Sequence, residues 1–161
     1  MKWFVKCIKN YVNFRGRARR AEYWNFILFS LIFYVVAKIL DMMLFSSNTE
    51  VITTLFSLFI FLPQLAVQVR RLHDTGRSGM RILWLYIAAF VWIVALLITG
   101  FSNLAALMSG SIYGMPLSFL AVLFVGMLTL LAWGIFFFMW FIIEGDKGEN
   151  KYGPDPKAEV Q

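Results

Sequence analysis

Residues 64–81 read Q-L-A-V-Q-V-R-R-L-H-D-T-G-R-S-G-M-R, and this stretch closes one long apolar run and opens the next. It holds the single histidine, His73, and four of the fifteen basic residues: Arg70, Arg71, Arg77 and Arg81. Charge gathered at a turn between two uncharged runs is the pattern of a chain that leaves a membrane and re-enters it. The rest of the sequence is organised by the same alternation.

Of 161 residues, 60% are apolar and 15% are charged. A soluble domain carries roughly 45–50% apolar and about 25% charged residues, so this chain is displaced toward lipid. Its length suits one domain, expected over residues 1–156, with 157–161 as a short polar tail. The net charge of +6 resembles that of a nucleic-acid binder. Its distribution excludes that class, because the cations cluster where apolar runs end. One cysteine, Cys7, rules out an intramolecular disulfide framework. The first 20 residues carry Lys6, Lys9, Asn10 and Asn13 and form no apolar signal core, so the first run is expected to remain as an anchor.

Four apolar segments follow, at about 24–45, 51–69, 82–99 and 117–143. Each approaches or exceeds the ~20 residues needed to cross ~30 Å of hydrocarbon. The fold class expected is all-α, an integral membrane four-helix bundle. Seven basic residues precede the first span, four lie between the second and third, and three follow the fourth. The connections at 46–50 and 100–116 have none. Only an arrangement with both termini cytoplasmic puts every basic segment on one side. The uncharged, half-apolar segment 100–116 is expected to pack along the opposite surface.

Residues 1–14 have helical period. Trp3, Phe4, Cys7, Ile8 and Tyr11 share one face, with Lys2, Lys6, Lys9 and Asn13 opposite. A lysine-rich face opposed to an aromatic one describes a helix lying in the headgroup layer; a helix packed on the end of the bundle is the plainer alternative. Arg15, Arg17, Arg19 and Arg20 then surround Gly16, a helix breaker, before Tyr23 and Trp24 mark the water–lipid boundary.

Several residues carry possible chemistry. Lys38 and Asp41 interrupt the first span three apart, so they can pair on one face near the outer boundary. Pro63 removes a backbone hydrogen bond near Phe59 and is expected to kink the second span. Gln64, Gln68 and Arg71 form a polar stripe below it, suited to interhelical hydrogen bonds or to a polar path. At the turn, Gly76 suits a left-handed helix end, Ser78 can cap the next helix and Asp74 can close an Asx turn. His73 and Asp74 are weighed as an acid–base or metal pair and read as structural instead. One histidine is too few for the usual zinc sets, and no metal, cofactor or catalytic residue is expected. After the fourth span, Glu144, Asp146 and Glu149 are expected to dock on Arg70, Arg71 and Arg77, with Tyr152 and Pro154 adding apolar contact.

Three motifs stand in order: F-R-G-R-A-R-R-A-E-Y-W at 14–24, R-R-L-H-D-T-G-R-S-G at 70–79 and G-E-N-K-Y-G-P-D-P at 148–156. Together they resemble the bacterial domain-of-unknown-function family 805, over nearly the whole chain. That family often has aromatics directly after the S-G pair, where this chain has Met80 and Arg81. The resemblance implies a small bacterial inner-membrane protein of several helices. It implies no activity and carries over no catalytic residue.

The leading functional expectation is a non-enzymatic membrane component. It would bind anionic lipid or a partner protein, a second copy included, through Arg15, Arg17, Arg19, Arg20, Arg70, Arg71 and Arg77. The alternatives are a small-solute or ion transporter using Gln64 and Gln68, and an enzyme acting on lipid headgroups at His73 and Asp74.

Overall fold

A computed structural model describes residues 1–45, 49–104, 108 and 117–158. Among them are five helices and no strand: α1 Lys2–Lys9, α2 Arg20–Leu44, α3 Val51–Asp74, α4 Met80–Ser102 and α5 Leu117–Ile142. The last four have 25, 24, 23 and 26 residues, and each is long and apolar enough to cross a membrane. At ~1.5 Å per residue they measure roughly 35–39 Å, more than the ~30 Å hydrocarbon layer. Each expected apolar segment thus falls on a helix long enough to span, and three of the four helices run past the expected bounds. Most of the connection at 100–116 lies outside the described residues.

The chain forms two compact units, Met1–Gly79 with Trp140–Gln161, and Met80–Met139. In the first, α2 and α3 pack together and α1 rests on both. On α2 the buried positions Tyr23, Phe26, Ser30, Ala37 and Asp41 recur at spacings of three, four and seven. The small side chains among them let α3 approach closely. Leu28, Leu31, Val35, Ile39 and Met42 form the opposite, exposed stripe. An apolar surface of this kind suits lipid or another apolar protein face rather than water.

From α1, the Phe4 ring lies 5.4 Å from Phe26 and 5.3 Å from Phe33, and Cys7 is fully buried. Phe4 and Cys7 thus face protein. Helix α3 runs unbroken through buried Pro63. Proline lacks the N–H that would bind the Phe59 carbonyl four residues earlier. The Tyr11 hydroxyl donates to that carbonyl at 2.6 Å and restores the missing bond.

The outer end of the pair departs from expectation. Lys38 does not pair with Asp41; it pairs with Glu50, just before α3. Asp41 accepts from the Ile52 and Thr53 N–H groups, both at 2.8 Å, and so caps the start of α3. A carboxylate at a helix N-terminus satisfies two orphan donors and meets the positive end of the helix dipole. That use outcompetes a local pair with Lys38.

The second unit contains α4 and most of α5. The Trp92 indole N–H donates to the Val122 carbonyl across the two helices at 3.0 Å. The indole lies against Gly126, where any Cβ would overlap it. Thr99 and Thr129 return their hydroxyls to carbonyls of their own helices, at 2.7 and 2.8 Å. Beside Trp92 is an apolar cavity of about 560 Å³, lined from α4 and α5 by residues such as Ala88, Ala95, Val122 and Leu130.

Candidate functional site: a buried arginine–carboxylate cap

The first unit gathers the three sequence motifs at one end. Helix α3 continues through Arg70 and Arg71 to Asp74, five residues past the expected end of its span. It closes with Gly76 at φ +68°. The Gly76 N–H binds the His73 carbonyl at 3.1 Å and the Arg77 N–H binds the Leu72 carbonyl at 2.9 Å. This is the Schellman arrangement, which needs a left-handed residue where glycine stands.

Arg17, Arg70 and Arg71 are all buried, and two carboxylates answer them. Asp74 accepts from Arg17 Nε at 3.0 Å through one oxygen and from Arg71 through the other. Its side chain is committed to ion pairs and does not close an Asx turn. Glu22, fully buried one turn into α2, accepts from Arg70 Nη1 at 2.7 Å. Lys6 reaches the other oxygen of Glu22 at 3.1 Å. Cys7 Sγ lies 3.8 Å from Glu22, and burial, reinforced by that negative charge, pushes the thiol up to about 12. A thiol so placed is neutral at physiological pH and is no nucleophile.

The two arginines of the Asp74 pair also bind bare carbonyls. Arg71 donates to Phe141 at 3.2 Å and to Ile143, while Arg20 donates to Ile142 at 3.2 Å. These are the last carbonyls of α5, which no further helical N–H can satisfy. Arg17 donates to the carbonyls of Asp146, Gly148 (2.5 Å) and Gly153 (3.4 Å). One guanidinium, with its five donors, thereby joins the 14–24 motif to the end of α3 and to the tail.

The tail is an ordered clasp. Asn150 and Gly153 exchange backbone bonds at 3.1 and 2.9 Å. The Asp146 N–H binds the Asp74 carbonyl at 2.8 Å, and the Asn150 amide binds the His73 carbonyl at 3.0 Å. The Tyr152 ring stacks on His73, with centroids 3.8 Å apart. His73 Nδ1 donates to the Gly16 carbonyl at 3.2 Å, which fixes the proton on that nitrogen. Gly145 passes so close to the Asp74 carboxylate that a Cβ there would collide with it. Lys157 belongs to the clasp rather than to a free tail, since its Nζ binds Glu144 at 2.5 Å. That bond holds the Glu144 carboxyl below its ordinary range. Asp155 is lowered too, by the backbone N–H groups of Lys157 and Gly148.

These contacts redistribute the residues singled out in the sequence. The tail reaches the arginines through its carbonyls, whereas Glu144 pairs with Arg20 and Lys157 and the Asp146 carboxylate accepts from Asn150. Glu149 is exposed. Arg77 lies over the Trp140 ring at 5.2 Å, and Arg19 over Trp3 at 3.9 Å. Of the seven arginines expected to bind lipid or a partner, only Arg15 and Arg20 are exposed. His73 and Asp74 turn to different partners and form no acid–base pair. Gln64 and Gln68 are half-buried on α3. No three metal-ligating side chains converge among the described residues. Glu22, Lys6, Cys7 and Tyr11 were not singled out as a cluster. The available signal was the carboxylate in A-E-Y-W, set just ahead of an apolar span, where a lone charge must find a partner.

A family model described as "Protein of unknown function (DUF805)" matches residues 11–154. "Inner membrane protein YhaH" of Escherichia coli (strain K12) is 37% identical over 99% of either chain. "Inner membrane protein YhaI" of the same strain is 31% identical, over 98% of this chain and 97% of its own. No solved structure matches.

Proposed function

The chain belongs to the DUF805 family of bacterial inner-membrane proteins, and from that premise we propose that it is a non-enzymatic binding component. Its basic cap faces the cytoplasm and holds anionic lipid of the inner leaflet. Both termini lie on that side, and α1 rests in the headgroup layer with Val5 toward lipid and Lys2 and Lys9 toward water. The observation that carries the reading is a division of labour among the cations. Arg17, Arg70 and Arg71 are buried in the cap, while Lys2, Lys9, Arg15, Arg20, Lys147, Lys151 and Lys157 remain exposed on the same unit. Exposed Lys and Arg beside an anionic leaflet contribute about 1 kcal/mol each and fade with salt.

Two measurements test the reading. Cysteines placed at Thr49 and Asn103 should react with an impermeant reagent from the periplasmic side, and one placed at Lys157 should not. Replacing Lys2, Lys9 and Arg15 with Gln leaves every ion pair of the cap intact. It should strip anionic lipid from the purified protein, most strongly at raised salt. An unchanged lipid complement would refute the binding role.

A further inference from the structure

At the start of α2 the cap encloses a cavity of about 170 Å³. Four cations line it: Arg19, Arg20, Lys147 and Lys157. Its wall also contains Asp74, Asp146 and Asp155, so its net preference depends on which charges are already satisfied. All three carboxylates already accept hydrogen bonds, and the Asp74 charge is also offset by ion pairs. Asp74 is held by Arg17 and Arg71, Asp146 accepts from Asn150 at 3.0 Å, and Asp155 accepts two backbone N–H groups at 2.9 and 3.2 Å.

The cations are undersupplied. Arg20 and Lys157 share one oxygen of Glu144, at 3.4 and 2.5 Å. Arg19 stacks on Trp3, a contact that occupies the face of the guanidinium and none of its N–H donors. Lys147 has no acidic partner within ion-pair distance among the described residues. The α2 N-terminus adds its positive end, with no side-chain cap on it. At ~30 Å³ per water the space equals a handful of water molecules, which suits a compact anion rather than a large headgroup.

We propose that this cavity binds one phosphate group, delivered by an anionic phospholipid. The source follows from position. Helix α2 enters its apolar run about one turn after Arg20, and Tyr23 and Trp24 suit the aromatic belt where headgroups lie. The proposal rests on the lipid-facing reading above and narrows it to one site.

Trp3 reports on that site through Arg19. The full-length protein, labelled with 5-fluorotryptophan and purified in mild detergent, is titrated with short-chain phosphatidylglycerol, with phosphatidylcholine of the same chains, and with inorganic phosphate. The Trp3 resonance is assigned by its loss in Trp3→Phe. Phosphatidylglycerol should shift it saturably, and phosphatidylcholine should not. Lys147→Gln should weaken the response about fivefold, the equivalent of one headgroup-layer cation, while Lys38→Gln, at the far end of α2, leaves it unchanged. Arg19→Gln should weaken retained phosphatidylglycerol similarly by mass spectrometry of the bound lipid. A Trp3 resonance that stays put while phosphatidylglycerol is still retained overturns the cavity and spares the lipid-facing reading. Equal losses from Lys147→Gln and Lys38→Gln do the same. Inorganic phosphate acting at the same concentration as phosphatidylglycerol overturns the lipid source. Absence of any anionic lipid would sink both proposals.

Discussion

Helices α2 and α3 and helices α4 and α5 present similar apolar surfaces to lipid, yet the two units hold themselves together by different means. The first joins α1, α2, α3 and the tail through three buried arginines, two buried carboxylates and the carbonyls that end α5. The second has one indole hydrogen bond, Trp92 to Val122, beside a cavity of about 560 Å³. In hydrocarbon there is little apolar driving force between helices, so packing and hydrogen bonds must specify association. A unit rich in them has one defined arrangement. The second unit shows fewer of them among the described residues and has less to specify its own.

That contrast is broken most severely at Arg71. Arg71→Ala removes a partner of Asp74 and bares the carbonyls of Phe141 and Ile143. Breaking a buried ion pair from one side costs about 3–5 kcal/mol. Unfolding in detergent should register a loss of that order, together with protease sensitivity of the tail. Wild-type stability would mean that the clasp holds without the arginine.

A smaller effect sharpens the comparison inside the first unit. Tyr11→Phe removes the donor to the Phe59 carbonyl and should cost about 1 kcal/mol. In a Pro63→Ala background the introduced alanine supplies its own N–H, so the same substitution should cost nearly nothing. Equal losses in both backgrounds would show that Tyr11 does not stand in for the proline. The smallest effect belongs to the second unit. Trp92→Phe keeps most of the ring and deletes one interhelical hydrogen bond, for which an average near ~0.6 kcal/mol is expected. A loss as large as that of Arg71→Ala would erase the distinction between the units.

The sequence announced the spans because apolar length is a property of consecutive residues. The same holds for the helix end at Gly76 and for the fourth helix, which ends within one residue of expectation. The partners were not legible, for two physical reasons. Local spacing suggested Lys38 with Asp41, whereas Glu50 and the start of α3 are the partners they find. Acidic residues in the tail suggested carboxylate docking, whereas Arg17 and Arg71 take up main-chain carbonyls, which every residue type possesses. Pro63 does announce a free carbonyl at Phe59, but nothing near it in sequence names Tyr11 as the donor. Likewise Arg70 finds Glu22 48 residues away, so α3 continues as helix through two arginines that looked like the surface of a turn.

The most direct test of the cap is therefore a double-mutant cycle across that pair. Glu22→Met, Arg70→Met and the double variant are unfolded from detergent under one condition. Each single change leaves a buried charge facing an apolar side chain and should be strongly destabilising. The double variant removes both charges, releases Lys6 to water, and should be markedly more stable than the sum of the singles requires. Coupling above about 1 kcal/mol is the expected result. Strict additivity would contradict a cap built on buried arginine–carboxylate pairs.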